Sequence, residues 1–79
     1  MPTLRLFAQA REAAQTSVAD VPGATVAEVL DAAEARYGRT FADVLGTCRV
    51  WVNGEPADPA TAVVDTDEVA VLPPVSGGC

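Results

Sequence analysis

Apolar and polar residues alternate along Thr3-Leu4-Arg5-Leu6-Phe7-Ala8, with Leu4 and Leu6 on one side and Arg5 and Phe7 on the other. Period two predicts a half-buried first strand over residues 3–8. The same alternation returns in Cys48-Arg49-Val50-Trp51-Val52 and in Glu68-Val69-Ala70-Val71-Leu72, which predicts two more strands. Between them the period changes. Val26, Val29, Leu30, Ala33 and Tyr37 recur at i, i+3, i+4, i+7 and i+11, the apolar stripe of a helix. Glu28, Asp31 and Glu34 lie toward its other side. Thr25 followed three residues later by Glu28 is a capping box, and Gly38 supplies a left-handed residue to end the helix.

The intervening segments carry turn chemistry. Residues 9–14 (QAREAA) favour a short helical turn, and residues 15–21 (QTSVADV) read as a second strand closed by Pro22-Gly23. A further turn is expected from Phe41 to Leu45, with Gly46 after it. Asn53-Gly54 is a strong hairpin signal, leading into a return strand at Glu55-Pro56-Ala57, where Pro56 suits a sheet edge. Asp65-Thr66-Asp67 is a turn, and Pro73-Pro74 ends regular pairing because neither can donate a ladder hydrogen bond. The order is strand, strand, helix, hairpin, strand. A sheet and an amphipathic helix must each cover the other's apolar side. The expectation is an α+β domain of β-grasp type over residues 1–72, a mixed sheet covered on one face by one main helix, with its first and last strands side by side. Residues 73–79 are expected to form a separate flexible tail. The larger core candidates are Leu4, Leu6, Val26, Val29, Leu30, Phe41, Leu45, Val50, Val52, Val69 and Val71.

Composition narrows the function. Eleven acids stand against five arginines, a formal charge of −6 with no lysine and no histidine. An acidic surface repels nucleic-acid phosphates and anionic lipid, so neither partner is expected, and a basic protein groove matches it better. The missing lysine removes the Schiff-base amine and any side-chain acceptor for isopeptide conjugation. The missing histidine removes the usual general base and the commonest metal ligand. No metal or cofactor site is expected. Two cysteines are too few for a disulfide scaffold, and Cys48 reads as a small buried apolar residue, with a Cys48–Cys79 disulfide the minor alternative. With no leader pattern and no apolar run of membrane length, the expected location is cytoplasmic.

The chain ends PPVSGGC. Two glycines without Cβ atoms let a backbone thread a narrow channel. Pro73 to Gly78, fully extended, would reach roughly 20 Å. Alone, a Gly-Gly near an end reads as a frayed terminus. Together with Phe7-Ala8-Gln9-Ala10-Arg11-Glu12, Val52-Asn53-Gly54-Glu55 and Leu72-Pro73-Pro74-Val75-Ser76-Gly77-Gly78, in that order, it resembles the MoaD/ThiS family of ubiquitin-like sulfur carriers. Within that family the similarity is greatest to the small subunit of molybdopterin synthase. The resemblance spans Leu4 to Gly78.

It implies a non-enzymatic carrier with the ubiquitin-like β-grasp fold. A ubiquitin-activating-type adenylyltransferase would spend ATP to adenylate the Gly78 carboxylate, and sulfur would then displace AMP to leave a thiocarboxylate. The molybdopterin synthase large subunit would receive the tail and pass sulfur to a pyranopterin precursor in molybdenum cofactor biosynthesis. The carried-over residues are Gly77 and Gly78, with Gly78 holding the acyl group. Other pathways of the same chemistry, to cysteine, thiamin or a sulfur-containing natural product, remain open, as does a ubiquitin-like interaction domain or protein modifier that never carries sulfur.

Cys79 departs from the family pattern, because it locks the Gly78 carbonyl in a peptide bond. Removal by a protease is the first account, and such extensions on ubiquitin-like carriers imply a zinc metalloprotease. A cysteine adduct on the carrier end and an added residue are the other two.

Strand parity proposes where partners dock. If Leu4, Leu6, Val50, Val52, Val69 and Val71 face the helix, then Phe7, Trp51 and Leu72 face away, next to the root of the tail. With Pro73, Pro74, Val75 and Ser76 they form the expected partner interface.

Overall fold

The alternation that opens the chain resolves as β1 (Thr3–Leu6). The computed structural model, which describes residues 1–73, shows why the strand stops two residues short of Ala8. Phe7 is still extended, at φ −130° and ψ 155°, but Ala8 takes φ 51° and turns the chain into α1 (Ala8–Ala14). The Phe7 carbonyl accepts from the Ala10 N–H at 3.1 Å, which anchors that first turn. There follow β2 (Val18–Asp20), α2 (Val26–Tyr37), α3 (Arg39–Leu45), β3 (Arg49–Val52), β4 (Glu55–Pro56) and β5 (Glu68–Leu72).

The strands make one mixed sheet in the order β2-β1-β5-β3-β4. β1 and β5 run parallel at its centre, with Leu4 beside Val69 and Leu6 beside Val71. β3 lies antiparallel to β5, with Val50 beside Val71 and Trp51 beside Ala70. Pro56 sits on the edge strand β4, where its missing N–H breaks no ladder. Leu4, Leu6, Val69 and Val71 are all buried and pack in one core with Ala10 of α1, Val26, Val29 and Ala33 of α2, and Phe41 and Leu45 of α3. The α+β mixed-sheet architecture is as expected. Its cover, however, is α2 assisted by two shorter helices. Val50, Val52 and Leu30 are only half-buried, while Val21 and Val63 are buried.

Helix ends show the local causes. The Glu28 N–H donates to Thr25 Oγ1 at 3.2 Å, the first half of the capping box. The returning bond reaches the Ala24 N–H, at 2.9 Å, one residue earlier than the motif requires. The flanking backbone is tied to the loop beyond β4, since the Val63 N–H donates to Ala24 and the Val26 N–H to Thr61. Gly38 takes φ 94° and ψ −170°, a positive-φ extended conformation rather than a left-handed helical one. The reason is that it serves two helices. Its N–H donates to Glu34 of α2 and its carbonyl accepts from Ala42 of α3. A Cβ there would touch nothing within 4 Å, so the backbone angle is what requires glycine. Cys48 stays outside β3 because it is bound to α3: its N–H donates to Leu45 and its thiol to the Val44 carbonyl, at 3.2 Å.

Asn53 and Gly54 take φ 51° and 84°, as a two-residue type I′ turn requires. The Asn53 amide donates to Asp67 Oδ1 and its oxygen accepts from the Glu68 N–H, both at 2.9 Å. Asp67 Oδ2 accepts from the Val64 N–H at 2.9 Å. The Asn53 bond, and then the Val64 bond, hold the Asp67 carboxyl below its ordinary range. A carboxylate favoured in the folded state stabilises above its unfolded pKa and loses that contribution as pH falls through its folded one. Asp67→Asn is therefore expected to melt earlier than the parent at neutral pH. The difference should narrow below about pH 4. Thermal melts across that range, followed by circular dichroism, check this; a difference that is constant with pH would refute it.

Candidate functional site

The core covers one face of the sheet and leaves the other to solvent. On the open face Arg5 of β1, Ala70 of β5, Trp51 of β3 and Pro56 of β4 stand in one row by register. One step toward the tail, Leu72 stands opposite Arg49. Because Leu6 pairs with Val71 and Phe7 is still extended, Phe7 stands beside Leu72 at the next step. Trp51 is the diagonal neighbour of Leu72, within reach for a long side chain.

Three of the expected interface residues are thus gathered where β5 hands over to the tail. Phe7 is 40% exposed and borders the half-buried Leu72, so the two join in one apolar surface. Trp51 and Leu72 are half-buried, so Trp51 is less prominent than strict parity implies, and Pro73 is exposed. Pro74, Val75, Ser76, Gly77, Gly78 and Cys79 lie outside the described residues.

Sequence parity named the aromatic members but not their setting. Arg49, exposed and directly across from Leu72, lies in the patch, as do Ala70 and Pro56. Arg49 shares the parity of Trp51 and so faces out with it, but its facing Leu72 required the register. Arg5, on the same face, is paired with Glu68 of the neighbouring strand.

The remaining chemistry is sparse. Among the described residues no group of three His, Cys, Asp or Glu could hold a metal ion. Burial pushes the Cys48 thiol up, against a smaller opposing effect from Thr47, so it is a poor nucleophile near neutral pH. An open hollow lined by Gly23, Ala24 and residues 63–66 lies at the far end of β5 from the tail. No helix among the described residues is long and apolar enough to cross a membrane. What the described residues offer is a partly apolar surface of Phe7, Trp51 and Leu72 beside the point where the chain leaves β5.

The ThiS family profile matches residues 4–78. A comparison with curated proteins returned no match. Among solved structures, the chain is similar to the small archaeal modifier protein SAMP1 of Haloferax volcanii, at 36% identity over 96% of this chain and 97% of that one, with a TM-score of 0.77. It is similar to CysO of Amycolatopsis orientalis, solved in complex with BexX, at 26% identity over 99% and 100% of the two chains, TM-score 0.81. A Pyrococcus furiosus protein assigned as subunit 1 of a molybdopterin converting factor shares the fold, at 24% identity over 92% and 95%, TM-score 0.78.

Proposed function

This chain belongs to the ThiS family of ubiquitin-like sulfur carriers, and on that premise we propose that it carries sulfur as a thiocarboxylate on Gly78 for molybdopterin formation. The observation that supports this most directly is the extent of the family match, which ends on Gly78 and leaves Cys79 outside. In the proposed sequence a protease, of zinc metalloprotease type, hydrolyses the Gly78–Cys79 bond and frees the carboxylate. A ubiquitin-activating-type adenylyltransferase joins that carboxylate to AMP from ATP and releases pyrophosphate. A sulfur nucleophile then displaces AMP. The molybdopterin synthase large subunit takes the charged tail and its sulfur. The chain contributes a docking face, an unhindered glycyl carbon and a tail thin enough to enter another protein's site. ATP is consumed by the activating partner and no cofactor is held by this chain, which works in the cytoplasm.

A second reading is favoured by the 36% identity to a small archaeal modifier protein. In that reading the activated Gly78 forms an amide with another protein's lysine instead of accepting sulfur. Intact mass of the protein from its own cells, with fragmentation of the C-terminus, separates the two. The expected result is a chain ending at Gly78, part of it with sulfur in place of one oxygen. Lysines of other proteins joined by an amide bond to Gly78 of this chain, without any thiocarboxylate, would establish the modifier. A chain that keeps Cys79 throughout would overturn both.

A further inference from the structure

Three of the five arginines make no ion pair or side-chain hydrogen bond among the described residues: Arg11, Arg39 and Arg49. Arg5 is taken by Glu68 and Arg36 donates to the Asp20 carbonyl at 3.0 Å. Arg49 is set apart by position. It is exposed, stands on the open sheet face, and is the cross-strand partner of Leu72, the last strand residue before the tail. The row across the tail's root therefore reads Phe7, Leu72, Arg49: an apolar pair with a guanidinium at one end. In a chain of net charge −6 this is a local reversal of sign.

We propose that Arg49 is a specificity residue for the activating partner, pairing with a carboxylate on that partner's rim where the tail enters. The proposal rests on the sulfur-carrier reading and adds the chemistry of the surface that must meet it: an apolar hollow flanked by at least one Asp or Glu. A guanidinium suits this place because its planar fork takes a carboxylate in two parallel hydrogen bonds, which fixes orientation as well as adding attraction. The net negative charge of the chain as a whole disfavours other approaches to an acidic rim. Leu72 and Phe7 supply apolar contact beside the ion pair, which partly desolvates and so strengthens it.

The test uses the chain ending at Gly78 and the ubiquitin-activating-type adenylyltransferase from the same cell, with ATP–pyrophosphate exchange measured against carrier concentration at low and high salt. Arg49→Glu is expected to raise KM for the carrier about tenfold while leaving kcat and the melting temperature unchanged. Arg49→Gln should fall between, and salt should shrink the difference. Asp31→Asn on α2, away from the patch, should leave KM as it was. If Arg49→Glu keeps or lowers the parent's KM, the Arg49 assignment is overturned and the carrier reading stands. If the parent chain itself supports no exchange, the carrier reading falls and this inference falls with it.

Discussion

Two chains that differ only in Cys79 are expected to behave oppositely toward the activating enzyme: the one ending at Gly78 supports ATP–pyrophosphate exchange and the one retaining Cys79 does not. Adenylation needs a carboxylate oxygen to attack the α-phosphorus of ATP. With Cys79 in place, the Gly78 carbonyl is an amide, without the negative charge and with its electron pair delocalised into the C–N bond. The chain then offers the Cys79 carboxylate instead, about 3.5 Å further along an extended backbone. A displacement of about 1 Å from a productive geometry already costs on the order of a hundredfold. The Cys79 side chain also adds a Cβ where glycine has none. The expected loss of exchange is therefore at least about a hundredfold, with binding through Phe7, Trp51 and Leu72 retained. That combination is the informative one: the untrimmed chain should compete with the trimmed one for the enzyme. Equal exchange by both chains would mean that the acyl group is not at Gly78.

How far the sequence reaches is visible in particular residues. The central pairing of β1 with β5 was readable, because Leu4-Leu6 and Val69-Val71 each give a clean period-two face, and burial on one face fixes register. The helix over Val26–Tyr37 was readable down to its Thr25 cap. Val21 and Val63 were not: Val21 lies just past the end of β2, and Val63 stands beside the exposed Val64 in an irregular segment, so no local period separates the buried valine of that pair. The start of β3 was placed one residue early because Cys48 obeys the alternation, while its hydrogen bonds belong to α3. The dual role of Gly38 was hidden too, as a glycine reports positive φ without saying whether one helix or two depend on it. For the site the division is similar. Parity turned Phe7, Trp51 and Leu72 outward; only the register shows Arg49 across from Leu72, because that pairing joins residues 23 positions apart in sequence.

Phe41 and Trp51 should separate stability from docking. Phe41 is fully buried on α3 and meets the Tyr37 ring at 5.2 Å between centroids and 58° between planes, which ties α3 to the end of α2. Truncating a buried phenylalanine to alanine costs about 3–5 kcal/mol, through lost transfer energy and the cavity left behind. A domain of this size has a total stability of about 4–12 kcal/mol, so Phe41→Ala removes much of it. At about 4–8 °C per kcal/mol, its melting temperature should fall by roughly 15–30 °C. Trp51 is half-buried on the open face, so the folded chain loses less on its truncation. Trp51→Ala should lower the melting temperature by only a few degrees, an effect of about 1 kcal/mol. A buried tryptophan at the centre of an interface is commonly worth about 2 kcal/mol or more, near thirtyfold in affinity. Calorimetric binding of the Gly78-ended chain to the activating enzyme, at a temperature where both variants remain folded, should therefore show a large loss for Trp51→Ala and little for Phe41→Ala. The opposite pattern, a large fall in stability with unchanged binding for Trp51→Ala, would move Trp51 from the docking face into the fold. The partner's hollow would then have to meet the chain through Phe7 and Leu72 alone.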